Sequence, residues 1–259
     1  MSHDRMPALF IGHGSPMNAL HKNEFTAALG KLSSAIPEPE AILVVTAHWL
    51  TQGTRITSSK NPEQIYDFYG FPEELYAVKY QPPGSPDIAA MIKRSVNGVT
   101  ITADEDRGID HAAWAVLKHI YPDEKIPVLE LSLDMNASPD IHYRIGRSLS
   151  VLRDKGILVV GSGNIVHNLQ VMEYYEGVEP HDRAVEFDER VKKYLLEDNH
   201  TELVEYEKWG NISRYAAPTD EHYIPMLYSA ALKEDGDSLE FVYESILHGS
   251  ISMRSFIIR

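Results

Sequence analysis

The chain has 259 residues, of which 43% are hydrophobic and 24% charged, so it can bury a large core as one domain. Its net charge is -14, which argues against a nucleic-acid partner and against adsorption to an anionic membrane. It contains no cysteine, and this excludes disulfides, thiolate metal sites, iron–sulfur clusters and a cysteine nucleophile.

No targeting segment is predicted at the N-terminus. The apolar run there, Leu9 to Ile11, is too short for a signal peptide, and no later run approaches the length of a membrane span. We therefore expect a cytoplasmic protein that has no membrane partner. Because the chain has no repeat, low-complexity tract or linker-like stretch, we predict a single domain over residues 1–259.

Short apolar runs alternate with longer helical patterns, which is typical of an α/β fold with a mainly parallel or mixed sheet. Buried strands are predicted at Ala8–Ile11, Ile42–Ala47, Pro127–Leu131 and Ile157–Gly161, and two strands that can pair at a sheet edge at Leu239–Tyr243 and Ser252–Ile258. Helices are predicted at Asn23–Ser34, Pro86–Asn97, Ala112–Ile120, Ser138–Asp154, Asp182–Glu197 and Glu221–Lys233. The range Thr57–Pro86 is predicted as a long ordered loop, either functional or a surface flap packed by its own aromatic side chains.

Three of the 12 histidines follow predicted buried strands. His13 comes just after the first strand, His48 ends the second, and His167 follows the strand Ile157–Gly161 through a short turn. A single histidine after a strand is more often structural than functional. However, the carboxyl ends of strands in an open α/β sheet meet at one edge, so we expect these three imidazoles to converge. Neutral imidazole is a common metal ligand, and the pattern therefore favours a metal site.

Two further histidines lie at predicted helix starts. His111 follows Asp110, at a position where a helix N-terminus lowers the pKa of an imidazole and favours its neutral form. His222 lies in a turn that also contains Asp220 and Glu221, which are competing ligand candidates. The alternative for His222 is a helical residue that faces solvent. The remaining histidines are interpreted as structural, with His248 able to border the site: His3, His21, His119, His142, His181, His200 and His248.

Five motifs carry a resemblance to a known family: MPALFIGHGSPMN, VVTAHW, GIDHAAW, GSGNIVHNL and EHYIPMLY. Together they resemble the class III extradiol ring-cleavage dioxygenase superfamily, and within it the DOPA 4,5-dioxygenase extradiol family. The resemblance runs from residue 6 to the C-terminal GSISMRSF. It implies a single-domain α/β/α sandwich with one divalent, non-haem metal ion, and it implies that a catechol and O2 are the reactants.

The resemblance also implies roles for five histidines. His13 and His48 match two metal ligands, and His222 stands where protocatechuate-cleaving relatives have a glutamate ligand. His167 matches a residue proposed as the acid and base of the reaction, and it is also a candidate for a fourth ligand. His111 matches a histidine that borders the substrate. Aromatic residues that can wall the substrate ring are Trp49, Tyr66, Phe68, Tyr69 and Trp114.

The implied histidine in place of glutamate leaves the metal open. Triads that contain a carboxylate favour Fe(II), whereas an all-nitrogen site suits zinc, so we expect zinc in crystals, with Fe(II) possible for turnover. Catechol and O2 need three positions on the metal, so an octahedral iron leaves room for three protein ligands. In that case His167 acts as acid and base, whereas four histidines would make a tetrahedral zinc site.

Two alternatives to a dioxygenase compete with this interpretation. A zinc-dependent hydrolase would use the same histidines to activate water, and would need neither O2 nor ferrous iron. A Memo-like, non-enzymatic interaction protein is the second alternative, against which the five complete histidine motifs weigh. The oligomeric state is left open by the sequence.

Overall fold

The computed structural model describes residues 5–175 and 177–259, so His3 lies outside the described residues. The strands in these ranges are β1 Ala8–Gly12, β2 Ala41–Thr51, β3 Thr54–Thr57, β4 Ile101–Asp104, β5 Val128–Asp134, β6 Ile157–Gly163, β7 Leu239–Tyr243, β8 Ile246–Leu247, β9 Ile251–Ser252 and β10 Ser255–Ile258. Eight of them form one sheet in the order β4-β3-β5-β2-β6-β1-β10-β7, and β8 pairs with β9. Strands β5, β2, β6 and β1 are parallel, whereas β10 is antiparallel to β1 and to β7. The mixed α/β sheet predicted from the sequence is confirmed.

Helices cover both faces of this sheet. The α-helices are α1 Glu24–Ala35, α2 Glu73–Tyr76, α3 Pro86–Ser95, α4 His111–Ile120, α5 Pro139–Ser148, α6 Asp182–Leu196, α7 His200–Val204, α8 Asn211–Ala216 and α9 Ile224–Ala231. Short 3-10 helices occupy Pro16–Ala19, Ser150–Lys155, Leu169–Val171 and Tyr206–Trp209. Alternate strand residues point to opposite faces, so Leu9 and Val44 pack with α1, α2 and α4, whereas Phe10 and Val45 pack with α3, α5, α6 and α9. The fold is an α/β/α sandwich.

Two central strands are longer than the apolar pattern predicts. Strand β2 continues to Thr51 through an irregularity in its pairing with β5 between Val45 and Leu50, so His48 lies within the strand and not at its end. Strand β6 continues to Gly163, and thus includes two residues that were predicted as a turn. Strands β3 and β4 were not predicted, because four residues are too few to show a clear alternation.

Helix ends also differ from the prediction in two places. Helix α5 ends at Ser148, and the chain continues as a 3-10 helix that ends at Gly156, whose φ of 75° suits glycine. The last α-helix begins at Ile224 and not at residue 221, because Pro225 has no N–H and favours the first turn of a helix. The long loop over residues 57–86 is present, with the single turn α2 inside it. Within the described ranges, no helix is long and apolar enough to cross a membrane.

Candidate metal centre

Three imidazoles converge at the carboxyl end of the central strands: those of His13, His48 and His222, here called the three-histidine group. One ring nitrogen from each lies within 4.8 Å of the other two, and the Nε2 atoms of His13 and His48 are 3.3 Å apart. The ring centroids are separated by 5.1 to 5.4 Å. His222 is buried, so its alternative interpretation as a helical residue facing solvent is wrong.

The backbone of His13 and that of His222 are hydrogen-bonded to residues at the C-terminal end of β6. The amide of His13 donates to the carbonyl oxygen of Gly163 at 3.0 Å, and the amide of Asn164 donates to the carbonyl oxygen of His222 at 2.8 Å. A Cβ atom at position 163 would lie 2.2 Å from that same His222 oxygen. Glycine is therefore needed at this position for the turn that carries His222 to lie against β6.

Hydrogen bonds at Nδ1 orient each ring of the three-histidine group. The hydroxyl of Ser162 donates to the carbonyl oxygen of Ala112 at 2.6 Å, so at 3.0 Å from His13 Nδ1 it accepts a hydrogen bond from that nitrogen. The Nδ1 of His48 lies 2.7 Å from a carboxylate oxygen of Asp67. The Nδ1 of His222 lies 3.2 Å from a carboxylate oxygen of Glu221. Carboxylates only accept, so each Nδ1 carries the hydrogen and each Nε2 presents a lone pair.

The Nε2 atoms of His13 and His48 are only 3.3 Å apart, and a shared cation would stabilise two lone pairs at this separation. Ligand nitrogens at 2.0–2.1 Å from a tetrahedral ion are about 3.4 Å apart, which is close to this separation. Hydrogen bonds from the opposite ring nitrogen to a carboxylate or another oxygen acceptor are the usual support of metal-binding histidines. The donor set therefore fits a divalent metal ion.

Burial sets the charge of two of these rings. Desolvation, with the neighbouring imidazoles His48 and His222, holds the pKa of His13 well below its usual range. Desolvation lowers the pKa of His222 to about 4, although the hydrogen bond to Glu221 partly opposes this. Burial also opposes protonation of His48, but its hydrogen bond to Asp67 and the charge of Asp110 raise the pKa above the usual value. His13 and His222 are therefore neutral near pH 7, as ligands must be.

Asp67 is a site residue that the sequence did not identify. It lies in the long aromatic loop, and its Oδ2 contacts His48 Nδ1 at 2.7 Å. Its Oδ1 contacts His111 Nδ1 at 2.9 Å and the backbone nitrogen of His111 at 3.0 Å. Burial would raise the pKa of Asp67, but these two imidazoles hold it well below its usual range. The loop was predicted to be ordered, yet nothing in its sequence marks this carboxylate.

His111 borders the three-histidine group without being part of it. It is the first residue of α4, and the side chain of Asp110 caps this helix. Its ring centroid is 4.2 Å from that of His48 and 5.5 Å from that of Phe68. Its pKa is lowered mainly by burial, whereas the sequence suggested the helix N-terminus as the cause.

His167 stacks on one member of the group. Its ring is 3.5 Å from that of His222, centroid to centroid, with 8° between the planes. Desolvation and the adjacent His222 lower the pKa of His167 to about 3. One of its nitrogens lies within 4.8 Å of the donor atoms of His222 and Glu221, but His167 does not join the three-histidine group. The structure thus brings His13, His48, His167 and His222 close together. The nitrogens of His13, His48 and His222 converge, whereas His167 lies beside them.

The other histidines in the described ranges lie in structural hydrogen bonds or at the surface. The Nδ1 of His248 is 2.9 Å from the carbonyl oxygen of Glu173. His181 and His200 are partly buried, and each contacts a tyrosine hydroxyl at 2.6 Å. Of the aromatic residues suggested for the substrate wall, Phe68 lies beside His111, whereas Tyr69 is 92% exposed.

The chain is similar to known proteins along almost its whole length. The family model described as the catalytic LigB subunit of aromatic ring-opening dioxygenase matches residues 5–254. A protein of Escherichia coli K12 named 4,5-DOPA dioxygenase extradiol is 42% identical, over 98% of this chain and 95% of the relative. A Beta vulgaris protein of the same name is 33% identical, over 95% of this chain and 94% of the relative. The crystal structure of an uncharacterised Escherichia coli K12 protein superposes with a TM-score of 0.87 at 37% identity, over 98% of this chain and all of that one.

Proposed function

The chain belongs to the family of the catalytic LigB subunit of aromatic ring-opening dioxygenases, and from this membership we propose that it opens the ring of a catechol such as L-DOPA with O2. It is an extradiol ring-cleavage dioxygenase, and enzymes of this family depend on a metal. We propose that residues 1–259 form one catalytic domain, and the cytoplasmic location stays a prediction.

One observation carries the assignment of the metal site. The three-histidine group places one ring nitrogen from each histidine within 4.8 Å of the other two, and its three Nδ1 atoms are held by Ser162, Asp67 and Glu221. We assign His13, His48 and His222 as the protein ligands of one divalent ion. When bound, such an ion would supply Lewis-acid and redox chemistry toward the catechol and O2.

His167 is proposed as the residue that moves the proton. Its ring is partly buried and neutral near pH 7, so it begins the reaction as a proton acceptor. It can take the hydrogen of a catechol hydroxyl onto a ring nitrogen and later return it, with the negative Glu221 close by to favour the charged form. This role is favoured over that of a fourth ligand, because no nitrogen of His167 joins the set that His13, His48 and His222 bring together.

His111 and Phe68 are proposed to border the substrate. His111 is buried beside His48, and the centroid of the Phe68 ring lies 5.5 Å from that of His111. An aromatic ring in this place favours a planar ligand through edge or offset stacking and excludes water from the reacting atoms.

The metal is proposed from the donor chemistry. Three imidazole ligands suit zinc and iron alike, so we expect zinc in crystals, with Fe(II) possible for turnover. The expected partners are therefore a small catechol and O2. A zinc hydrolase or a non-enzymatic interaction protein is disfavoured, because the relatives with high coverage bear the name of a dioxygenase.

The test is anaerobic reconstitution of the metal-free protein with Fe(II), followed by addition of L-DOPA and air. A yellow ring-opened product and one O2 consumed for each substrate are the expected results. Zinc-loaded protein serves as the control and should bind the catechol without consuming O2. If neither L-DOPA nor simple catechols are opened and no O2 is taken up, the proposed reaction is wrong.

A further inference from the structure

The carboxylate of Asp67 is shared between two histidines that have different places in the proposed site. One oxygen contacts His48 Nδ1 at 2.7 Å, and the other contacts His111 Nδ1 at 2.9 Å and the His111 amide at 3.0 Å. The side chain is 18% exposed, although the residue as a whole lies at the surface. Asp67 therefore holds both rings through their Nδ1 atoms.

The contact with His48 decides which of its nitrogens can bind a metal. The nitrogen that carries the hydrogen of a neutral imidazole is set by the hydrogen bond that the other nitrogen makes. Because a carboxylate only accepts, His48 keeps its hydrogen on Nδ1 and presents the lone pair of Nε2, which lies 3.3 Å from Nε2 of His13.

The contact with His111 has a different consequence. The same carboxylate keeps the hydrogen of His111 on Nδ1, so the opposite nitrogen, Nε2, is an acceptor and not a donor. His111 can then accept a hydrogen bond from a hydroxyl of a bound catechol, but it cannot donate one while it is neutral. An O-methylated catechol lacks that hydroxyl hydrogen and loses this contact.

The two residues that precede Asp67 in the loop are anchored by hydrogen bonds. Trp114 Nε1 donates to the carbonyl oxygen of Ile65 at 2.9 Å. The hydroxyl of Tyr66 donates to the carbonyl oxygen of Val78 at 2.7 Å. Phe68, the next residue, lies beside His111. The orientation of His48 and His111 therefore depends on how this loop packs, because the loop places Asp67.

We propose that Asp67 is a positioning residue that sets the tautomer of both His48 and His111, which leaves one Nε2 free for the metal and the other free to accept from a substrate hydroxyl. The proposal rests on the proposed function for the meaning of these two nitrogens. The placement of the hydrogens can, however, be measured without any turnover.

The direct test is long-range ¹H–¹⁵N correlation NMR of the zinc-loaded, histidine-labelled protein, in which zinc is diamagnetic. The His48→Gln and His111→Gln variants assign the two rings by the loss of their signals. The expected result is a hydrogen on Nδ1 of both rings. A hydrogen on Nε2 of His111, or on Nε2 of His48, overturns the proposal.

Asp67→Asn gives a second, independent readout. Its amide oxygen should stay toward His111, where it accepts from the backbone N–H as well as from Nδ1, so its NH2 group faces His48, which then needs its hydrogen on Nε2. We expect Zn²⁺ affinity, measured by competition with a chelator, to fall about 10- to 100-fold, the usual loss for such a partner. Asp123→Asn, a change at an exposed aspartate, is the matched control and should keep the wild-type affinity.

An Asp67→Asn protein that folds and binds Zn²⁺ within about twofold of wild type contradicts the proposal. The NMR measurement needs no Asp67 variant, so it decides the question even if Asp67→Asn does not fold. Neither readout uses O2 consumption. A protein with the expected tautomers that opens no catechol would contradict the proposed function and leave the role of Asp67 intact.

Discussion

The imidazole rings of His167 and His222 lie parallel, 3.5 Å apart at their centroids and inclined by only 8°. His167 does not belong to the set of nitrogens that His13, His48 and His222 bring within 4.8 Å of one another, which favours proton transfer over metal binding as its role. We expect His167→Gln to keep a full complement of bound metal and to lower kcat about 10²- to 10⁴-fold, the usual loss for a general acid or base. Metal content per chain and kcat for a catechol are the measurements.

His222→Gln is the matched comparison for this experiment. Loss of a proposed ligand should empty the site at metal concentrations that saturate wild type, and activity should fall with it. If His167→Gln also loses its metal, His167 is a fourth ligand and its role as acid and base has to be abandoned.

Gly163 should be required for metal binding although it offers no ligand atom. In Gly163→Ala the added Cβ would meet the carbonyl oxygen of His222 at 2.2 Å, so the turn that carries His222 must move. We expect metal affinity to fall by about tenfold or more, as when the support of a ligand is disturbed. Gly30→Ala is the control, because its Cβ meets nothing closer than 3.8 Å. Equal metal affinity in both variants would show that the turn can relax without cost.

Phe68 should contribute to substrate binding more than to the chemical step. An aromatic contact is worth about 0.5–1.5 kcal/mol, so Phe68→Ala should raise KM for a catechol about 2- to 10-fold with a smaller change in kcat. Steady-state kinetics with the Fe(II) enzyme measure both constants. Tyr69→Ala, at the neighbouring residue that is 92% exposed, should leave KM unchanged. An unchanged KM in Phe68→Ala would remove this ring from the substrate wall.

His142 should make the protein less stable in acid. It is buried in α5 with its Nδ1 3.0 Å from the Tyr228 hydroxyl, and desolvation lowers its pKa to about 4. At pH values between about 4 and 6.5, His142 is therefore protonated in the unfolded chain but neutral in the folded protein. The free energy of unfolding therefore has its full value above about pH 6.5. It decreases as the pH falls toward 4, by up to about 3 kcal/mol.

Chemical denaturation of the metal-free protein at several pH values between 4 and 7.5 tests this expectation. In His142→Gln the free energy of unfolding should fall less steeply with decreasing pH than in wild type. His21→Gln, at an exposed histidine, should follow the wild-type curve. Parallel curves for wild type and His142→Gln would mean that His142 does not resist protonation in the folded state.

Much of the architecture could be predicted from the sequence, because short, β-branched apolar runs such as Ile42–Val45 are typical of strands buried on both faces. Once β1 and β2 are placed as parallel neighbours of one central strand, the topology of the sheet requires His13 and His48 to share an edge. Short polar strands such as β3 were missed, since pairing with β4 and β5 stabilises them and their own pattern does not.

The sequence by itself therefore determined the kind of fold, the family and the histidines worth considering, because periodicity and motif spacing are local properties. Only the tertiary structure decided that His222 is buried beside His13, that His167 stacks on His222, and that Asp67 reaches two rings from a loop. These relationships depend on segments far apart in the chain and on desolvation, which changes the charge of an imidazole only after the surrounding residues have packed around it.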